Sequence, residues 1–248
     1  MDRVAVVTGA SSGIGREVAR TLATEGCHVL LVARRAAILD QLAHEIDAHT
    51  AGSAVTLSVD VTDEEAPQAM SERLLGWKSR VDILVNSAGR SWPVPLGDAH
   101  EDALWREGFM LNFVSNRRIT HALLPQLIAQ GFGRVVNITG PTEPVELNAG
   151  NAAKAAVHAW AKALSNHVAR SGVTVNCVAP GRIMSEQVRG WWPTAEERDA
   201  FAQAHIPVGR FGMESDVARV VTFLCSPHSG YITGEIINVD GGMRRFAY

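Results

Sequence analysis

The 248-residue sequence is short of several things, and each shortage removes a class of protein. Its three cysteines, Cys27, Cys177 and Cys225, are few, odd in number and set in apolar segments. They do not make a disulfide framework and read as buried, reduced thiols of a cytosolic protein. Excess charge is also scarce: the net value of −3 gives nucleic acid or an anionic membrane nothing to recognise. No apolar run approaches the ~20 residues needed to span a bilayer. The chain starts directly on a strand pattern, so no signal peptide and a cytoplasmic location are expected. The nine histidines show no paired spacing, so no metal site is expected. Tyrosine is the scarcest residue, present only as Tyr231 and Tyr248.

What is present is regular. Apolar, β-branched runs recur at Val4–Thr8, His28–Ala33, Ala54–Val59, Asp82–Asn86, Gly133–Thr139, Val173–Val178 and Glu235–Val239. Helical patterns lie between them, at Gly13–Glu25, Arg35–Thr50, Asp63–Trp77, Asp98–Gln130, Gly150–Ser171 and Glu214–Ser226. Short, mostly apolar strands alternating with helices predict a doubly wound parallel sheet of the Rossmann type, with helices on both faces. No linker or repeat divides the chain, so residues 1–248 read as a single Rossmann-type α/β domain. One long irregular insertion, at about 181–212, carries Trp191-Trp192-Pro193 and a helical run near Thr194–Ala204, and reads as a substrate lid. Those two tryptophans suit either an apolar substrate or the lid's own core.

The first strand stops at Thr8-Gly-Ala-Ser-Ser-Gly-Ile-Gly15 and a helix follows at once. Such a turn gathers unpaired N–H groups and the positive end of a helix dipole, which suits a pyrophosphate. Gly9 permits the tight turn, Gly13 the close approach to phosphate, and Gly15 the packing of helix on strand. Ser11, Ser12 and Ile14 complete the loop. The second strand ends Ala33-Arg34-Arg35, with no acidic residue for a ribose 2′-hydroxyl and two guanidinium forks for a 2′-phosphate. NADP(H) is therefore expected over NAD(H).

The spacing Thr8-Gly9-x-x-x-Gly13-Ile14-Gly15 resembles that of the short-chain dehydrogenase/reductase family, and the likeness continues along nearly the whole chain. Asp60-Val61 resembles the family's adenine contact. Asn86-Ser87-Ala88-Gly89 resembles the motif that braces sheet and cofactor. Asn112 falls at the helix-kinking catalytic asparagine. Lys154 falls at the lysine that holds the nicotinamide ribose. Pro180-Gly181-Arg182-Ile183, with Ser185 close behind, resembles the segment that holds the carboxamide. The ending Val239-Asp-Gly-Gly242 resembles the last strand and its assembly contact. The resemblance implies an oxidoreductase of small molecules, acting on a carbonyl/alcohol pair, and a homotetramer or homodimer.

The catalytic half departs from that pattern. The residue four before Lys154, where the family has its tyrosine, is Gly150, and the family's serine aligns with Gly140. Thr139, one residue earlier, points to the opposite strand face unless the strand end twists. A positioned acid or base contributes about 10²–10⁴-fold, so something is expected to replace the tyrosine if the protein is a reductase. Candidates are a water held by Asn112 and Lys154, or Glu143 or Glu146 if desolvated; Asn148 lies in the same short connection. Restoring tyrosine at 150 and serine at 140 is expected to raise activity. The alternatives are non-redox chemistry of an isomerase or lyase, or a catalytically silent binding subunit. His158 is expected in the core or a subunit interface, Arg182 is open between an anionic substrate and solvent, and the tail from Met243 to Tyr248 is expected at an assembly contact.

Overall fold

The computed structural model describes residues 2–97, 100–144 and 146–244, apart from the side chains of residues 186 and 187. The start of the predicted 98–130 helix and most of the predicted assembly tail lie outside the described residues.

Seven strands form one parallel sheet: β1 (Arg3–Thr8), β2 (Cys27–Ala33), β3 (Ser53–Ser58), β4 (Ile83–Asn86), β5 (Gly133–Ile138), β6 (Val173–Pro180) and β7 (Ile236–Val239). Their spatial order is β3-β2-β1-β4-β5-β6-β7. The chain winds outward from β1 to β3, then returns to the other side of β1 with β4. That reversal opens a crevice beyond the carboxyl ends of β1 and β4, where such sheets bind ligands.

The period of two along the strands divides the core into two layers. Ala5 and Val7 of β1 and Val29 and Leu31 of β2 face α1 (Gly13–Thr24), α2 (Ala36–His49) and α9 (Glu214–Cys225). Val4, Val6, Leu30 and Val32 face the opposite way, onto α3 (Ala66–Leu75), α5 (Ser115–Ala129) and α6 (Ala149–Val168). Each fully buried Leu or Ile, such as Leu22, Leu42, Leu74 and Leu123, contributes roughly 1.5–3 kcal/mol of transfer free energy. Cys27, Cys177 and Cys225 are unpaired and buried; burial pushes the thiols of Cys27 and Cys177 up to about 11 and about 12.

Two local departures from the sequence pattern matter for function. The single helix predicted before β5 is α4 (Glu101–Phe109), a wide π turn over Met110–Val114, and then α5. The insertion after β6 folds into α7 (Glu186–Trp191) and α8 (Ala195–His205). Thr194 caps α8 through a reciprocal capping box with Glu197, each side chain accepting the other's backbone N–H. Val188, Ala202, Ile206 and Phe211 form a small core of the insertion's own. Trp192 joins it, with ring centroids 4.4 Å from Phe201 and 5.7 Å from Phe211. Trp191 stays 46% exposed.

Candidate active site

A cleft of about 2010 Å³ runs along the carboxyl ends of the strands and receives the glycine loop, the β4 and β6 ends, α6 and the insertion. At one end the backbone forms a cradle. Gly9 has φ +69°, and a β-carbon there would lie 2.9 Å from the Ala88 nitrogen. A β-carbon on Gly15 would lie 2.5 Å from the Gly9 carbonyl, so the helix start and strand end touch only because both residues are bare. Gly13, at φ +55°, has nothing within 4 Å of that position, which leaves open space above the start of α1. The Ser12 side chain makes no capping bond, leaving first-turn N–H groups for a ligand. Ser11 and Ile14 line the same cleft. The Thr8 hydroxyl accepts the N–H groups of Ser87 and Ala88 and ties β1 to the β4 loop.

The two arginines take different positions. Arg35 reaches back across the loop: its Nε and a terminal nitrogen donate to Ser11 Oγ at 3.2 and 3.0 Å, and the latter also to the Ser11 carbonyl at 3.2 Å. Arg34 stays 77% exposed and lies 3.5 Å from Asp60 Oδ2. The Asp60 carboxyl is raised by burial, but the Thr62 backbone N–H and hydroxyl and the Arg34 charge outweigh this and hold it below its usual value. Val61 follows in the cleft wall. A bare-backbone cradle with a cationic fork at its rim fits a dinucleotide phosphate at one end and a ribose phosphate at the other.

Further along the cleft, Asn86 donates from Nδ2 to Asn137 Oδ1 at 2.9 Å and Thr120 Oγ1 at 3.0 Å, joining β4 to β5 and α5. Asn112 lies in the π turn, fully buried; its Nδ2 donates to the Gly108 carbonyl and its Oδ1 accepts the Arg90 N–H at 3.1 Å. A β-carbon on Gly89 would stand 2.7 Å from that same oxygen. Lys154 extends from α6 beside Gly89 and Gly140, and burial pulls its ammonium down to about 8. On the far wall, Pro180 ends β6, and Gly181 lies against Asp240, with 2.6 Å between a built β-carbon and the Asp240 Cα. Ile183 pairs with Gly212, and Ser185 accepts the Val188 N–H to begin α7.

The places where tyrosine and serine were sought are unlike one another. At Gly140 a β-carbon would face the cleft beside the lysine stem. At Gly150 it would collide with the Arg90 carbonyl at 2.6 Å and crowd the Trp92 nitrogen at 3.2 Å. The expectation that tyrosine can simply be restored at 150 is therefore corrected: the loop after β4 fills that space. Asn148 holds it there. Its buried Oδ1 accepts the N–H groups of Trp92 (2.9 Å) and Asn151 (3.1 Å), and its Nδ2 donates to Ser91 Oγ at 2.7 Å. Backbone bonds from Ala149 to Trp92 and from Val94 to Leu147 complete the join. Sequence reasoning missed this clamp, although Asn148 is a typical helix N-cap residue three before Asn151.

The remaining candidates line the same cleft but differ in setting. The Thr139 hydroxyl is buried, donating to the Val178 carbonyl at 3.1 Å and accepting His158 Nε2 at 2.8 Å. His158 is thus a core partner, and burial lowers its ionisation below the usual value. Glu143 has Oε1 3.7 Å from Arg244 Nε, and Glu146 is exposed, so neither has the desolvated setting required of it. Arg182 lies over the indoles of Trp191 and Trp192, at 5.4 and 5.6 Å.

The switch-point crevice and its phosphate cradle define a dinucleotide-binding protein of Rossmann architecture. Comparison with known proteins narrows that class. A family model described as enoyl-(acyl carrier protein) reductase matches residues 9–244. A 3-oxoacyl-[acyl-carrier-protein] reductase of Haemophilus influenzae is 34% identical over 245 residues, covering 97% of this chain and 98% of that protein. A galactitol 2-dehydrogenase (L-tagatose-forming) of Cereibacter sphaeroides is 37% identical over 245 residues, covering 96% and 93%. The structure of L-sorbose reductase from Gluconobacter frateurii, complexed with NADPH and L-sorbose, superposes with a TM-score of 0.93 at 28% identity, covering 99% of this chain and 97% of that one. The chain belongs to the short-chain dehydrogenase/reductase family of oxidoreductases.

Proposed function

We propose that the protein is an NADP(H)-dependent oxidoreductase interconverting a small-molecule carbonyl and alcohol through a non-standard active site, with Gly150 and Gly140 where the family has tyrosine and serine. The observation that carries the cofactor choice is the Arg35 fork clamped on Ser11, beside a strand end that offers Ala33 and no carboxylate. NADPH bound in the related sorbose reductase supports the same choice. When bound, the nicotinamide supplies the hydride. The chain's own groups bind and orient: the Gly9–Gly15 loop takes the pyrophosphate, Arg34 and Arg35 the 2′-phosphate, and Asp60 and Val61 the adenine. Asn86, Ala88 and Gly89 brace the floor, Lys154 the nicotinamide ribose, and Pro180, Gly181, Ile183 and Ser185 the carboxamide end. Asn112 orders the floor through Arg90. The chain acts as one domain, with the 181–212 insertion as its lid, and it assembles as a homotetramer or homodimer.

The family membership and the retained Asn112–Lys154 pair favour hydride transfer over isomerase chemistry or a silent subunit. Nucleotide titration followed by a carbonyl panel of ketoses and 3-oxoacyl thioesters tests the reading. NADPH is expected to bind more tightly than NADH and to be oxidised in the presence of at least one panel member. Equal affinities, or binding with no oxidation across the panel, contradict it.

A further inference from the structure

We propose that Lys154 is itself the proton donor to the substrate oxygen during carbonyl reduction, a role that rests on the oxidoreductase reading above. The case is geometric. A β-carbon built on Gly140 would stand 3.2 Å from Lys154 Cδ, 3.9 Å from its Nζ and 3.4 Å from Asn151 Oδ1. One built on Gly89 would stand 3.8 Å from Lys154 Cε. The lysine stem is thus walled by two glycines, and neither places a side chain between its ammonium and the cleft. Lys154 makes no ion pair among the described residues, so the ammonium is not held by a carboxylate.

The other proton-bearing groups nearby are committed elsewhere. Thr139 donates to Val178, Asn148 holds the 90–94 loop, and Asn112 is bonded to Gly108 and Arg90. The cleft also presents Arg90 from the β4 loop, Glu107 from α4, Glu143 and Glu146 from the segment before α6, Arg182 after β6 and His205 from the lid, where its ring packs on Phe201. His158 shares the lysine's own helix and faces Thr139. Arginines hold their protons too tightly to donate, which leaves the lysine as the acid closest to Gly140. Burial weakens that acid's hold on its proton, which suits the task near neutral pH.

The step balances. The carbonyl carbon gains the hydride, its π pair moves to oxygen, and that oxygen takes one proton from the Lys154 ammonium. The neutral amine then regains a proton from water in the open cleft.

Chemical rescue tests this. K154A is expected to lose about 10²-fold or more of kcat. Methylammonium is expected to restore part of that loss, while guanidinium at equal concentration, a cation of the same charge that holds its protons too tightly to donate, restores none. Wild-type kcat for reduction is expected to be level at low pH and to decline above a midpoint near 8. A readout without cofactor accompanies it: acetylation of Lys154 against pH, followed by peptide mass spectrometry with Lys78 and Lys162 as references, is expected to show the same midpoint. Equal rescue by both cations, or a midpoint at the ordinary lysine value of about 10.4, overturns the donor role alone. Wild-type protein that binds NADPH and reduces no carbonyl overturns the oxidoreductase reading, and this inference with it.

Discussion

In the proposed function Arg35 is the side chain on which cofactor choice turns, and its fork is already fixed on Ser11 at the rim of the phosphate cradle. Hydrogen bonds to a charged group are worth about 1.5–3 kcal/mol, or roughly 10- to 150-fold in affinity. R35A is therefore expected to weaken NADPH binding by at least about tenfold while changing NADH binding little, as measured by fluorescence titration. Gly150 carries a different prediction. A single methyl there meets the Arg90 carbonyl at 2.6 Å, so G150A is expected to lower stability by about 1–3 kcal/mol in thermal unfolding. An unchanged Tm would show that the 90–94 loop moves aside. The glycine loop was legible in the sequence because its turn and helix start are contiguous; that Arg35 reaches Ser11, 24 residues away, and that Lys154 lies beside Gly89 and Gly140 was not. The Asn148 clamp was not, since its partner Trp92 is 56 residues distant. Only the folded chain shows that Gly150 admits a backbone loop rather than merely lacking a side chain.

At the scale of elements, all seven strands and most helices were legible from apolar periodicity, with strand ends displaced by at most two residues and helix ends by up to three. The π turn at Met110–Val114 was not, because the apolar pattern runs on through α4 and α5 while the backbone widens by one residue. That widening carries Asn112, whose bonds to Gly108 and Arg90 tie the helix pair to the cleft floor. The insertion after β6 was legible as such, and its two tryptophans separate in the fold: Trp192 serves the insertion's core, while Trp191 is half-exposed and lines the cleft. W192A is expected to cost about 2 kcal/mol of the insertion's local stability, below the ~3–5 of a fully buried tryptophan. Hydrogen exchange in 186–206 is expected to speed up and KM for the carbonyl to rise, with NADPH affinity little changed. Unaltered exchange there would show that the insertion does not depend on its aromatic cluster.

For the whole molecule, the buried ammonium of Lys154 is a stability cost. Its folded value of about 8 lies below the 10.5 of an unburied lysine. Between those two pH values the unfolded chain binds the extra proton, so stability rises with pH through that window, and below 8 the full cost of burying the ammonium is present. K154M is therefore expected to melt higher than wild type at pH 7, with the difference shrinking between pH 8 and 10.5. A constant difference across that range would contradict the burial of the charge. Cofactor acts in the opposite direction: NADPH at a hundred times its Kd is expected to add about 2.7 kcal/mol.

The reaction itself is tested most directly by isotope transfer. Reduced cofactor deuterated at the nicotinamide C4, incubated with the protein and the ketose and 3-oxoacyl panel, is expected to give an alcohol bearing deuterium on its carbinol carbon. NADPH that binds tightly, yet leaves every carbonyl in the panel unlabelled, would contradict the assignment of this chain as an oxidoreductase.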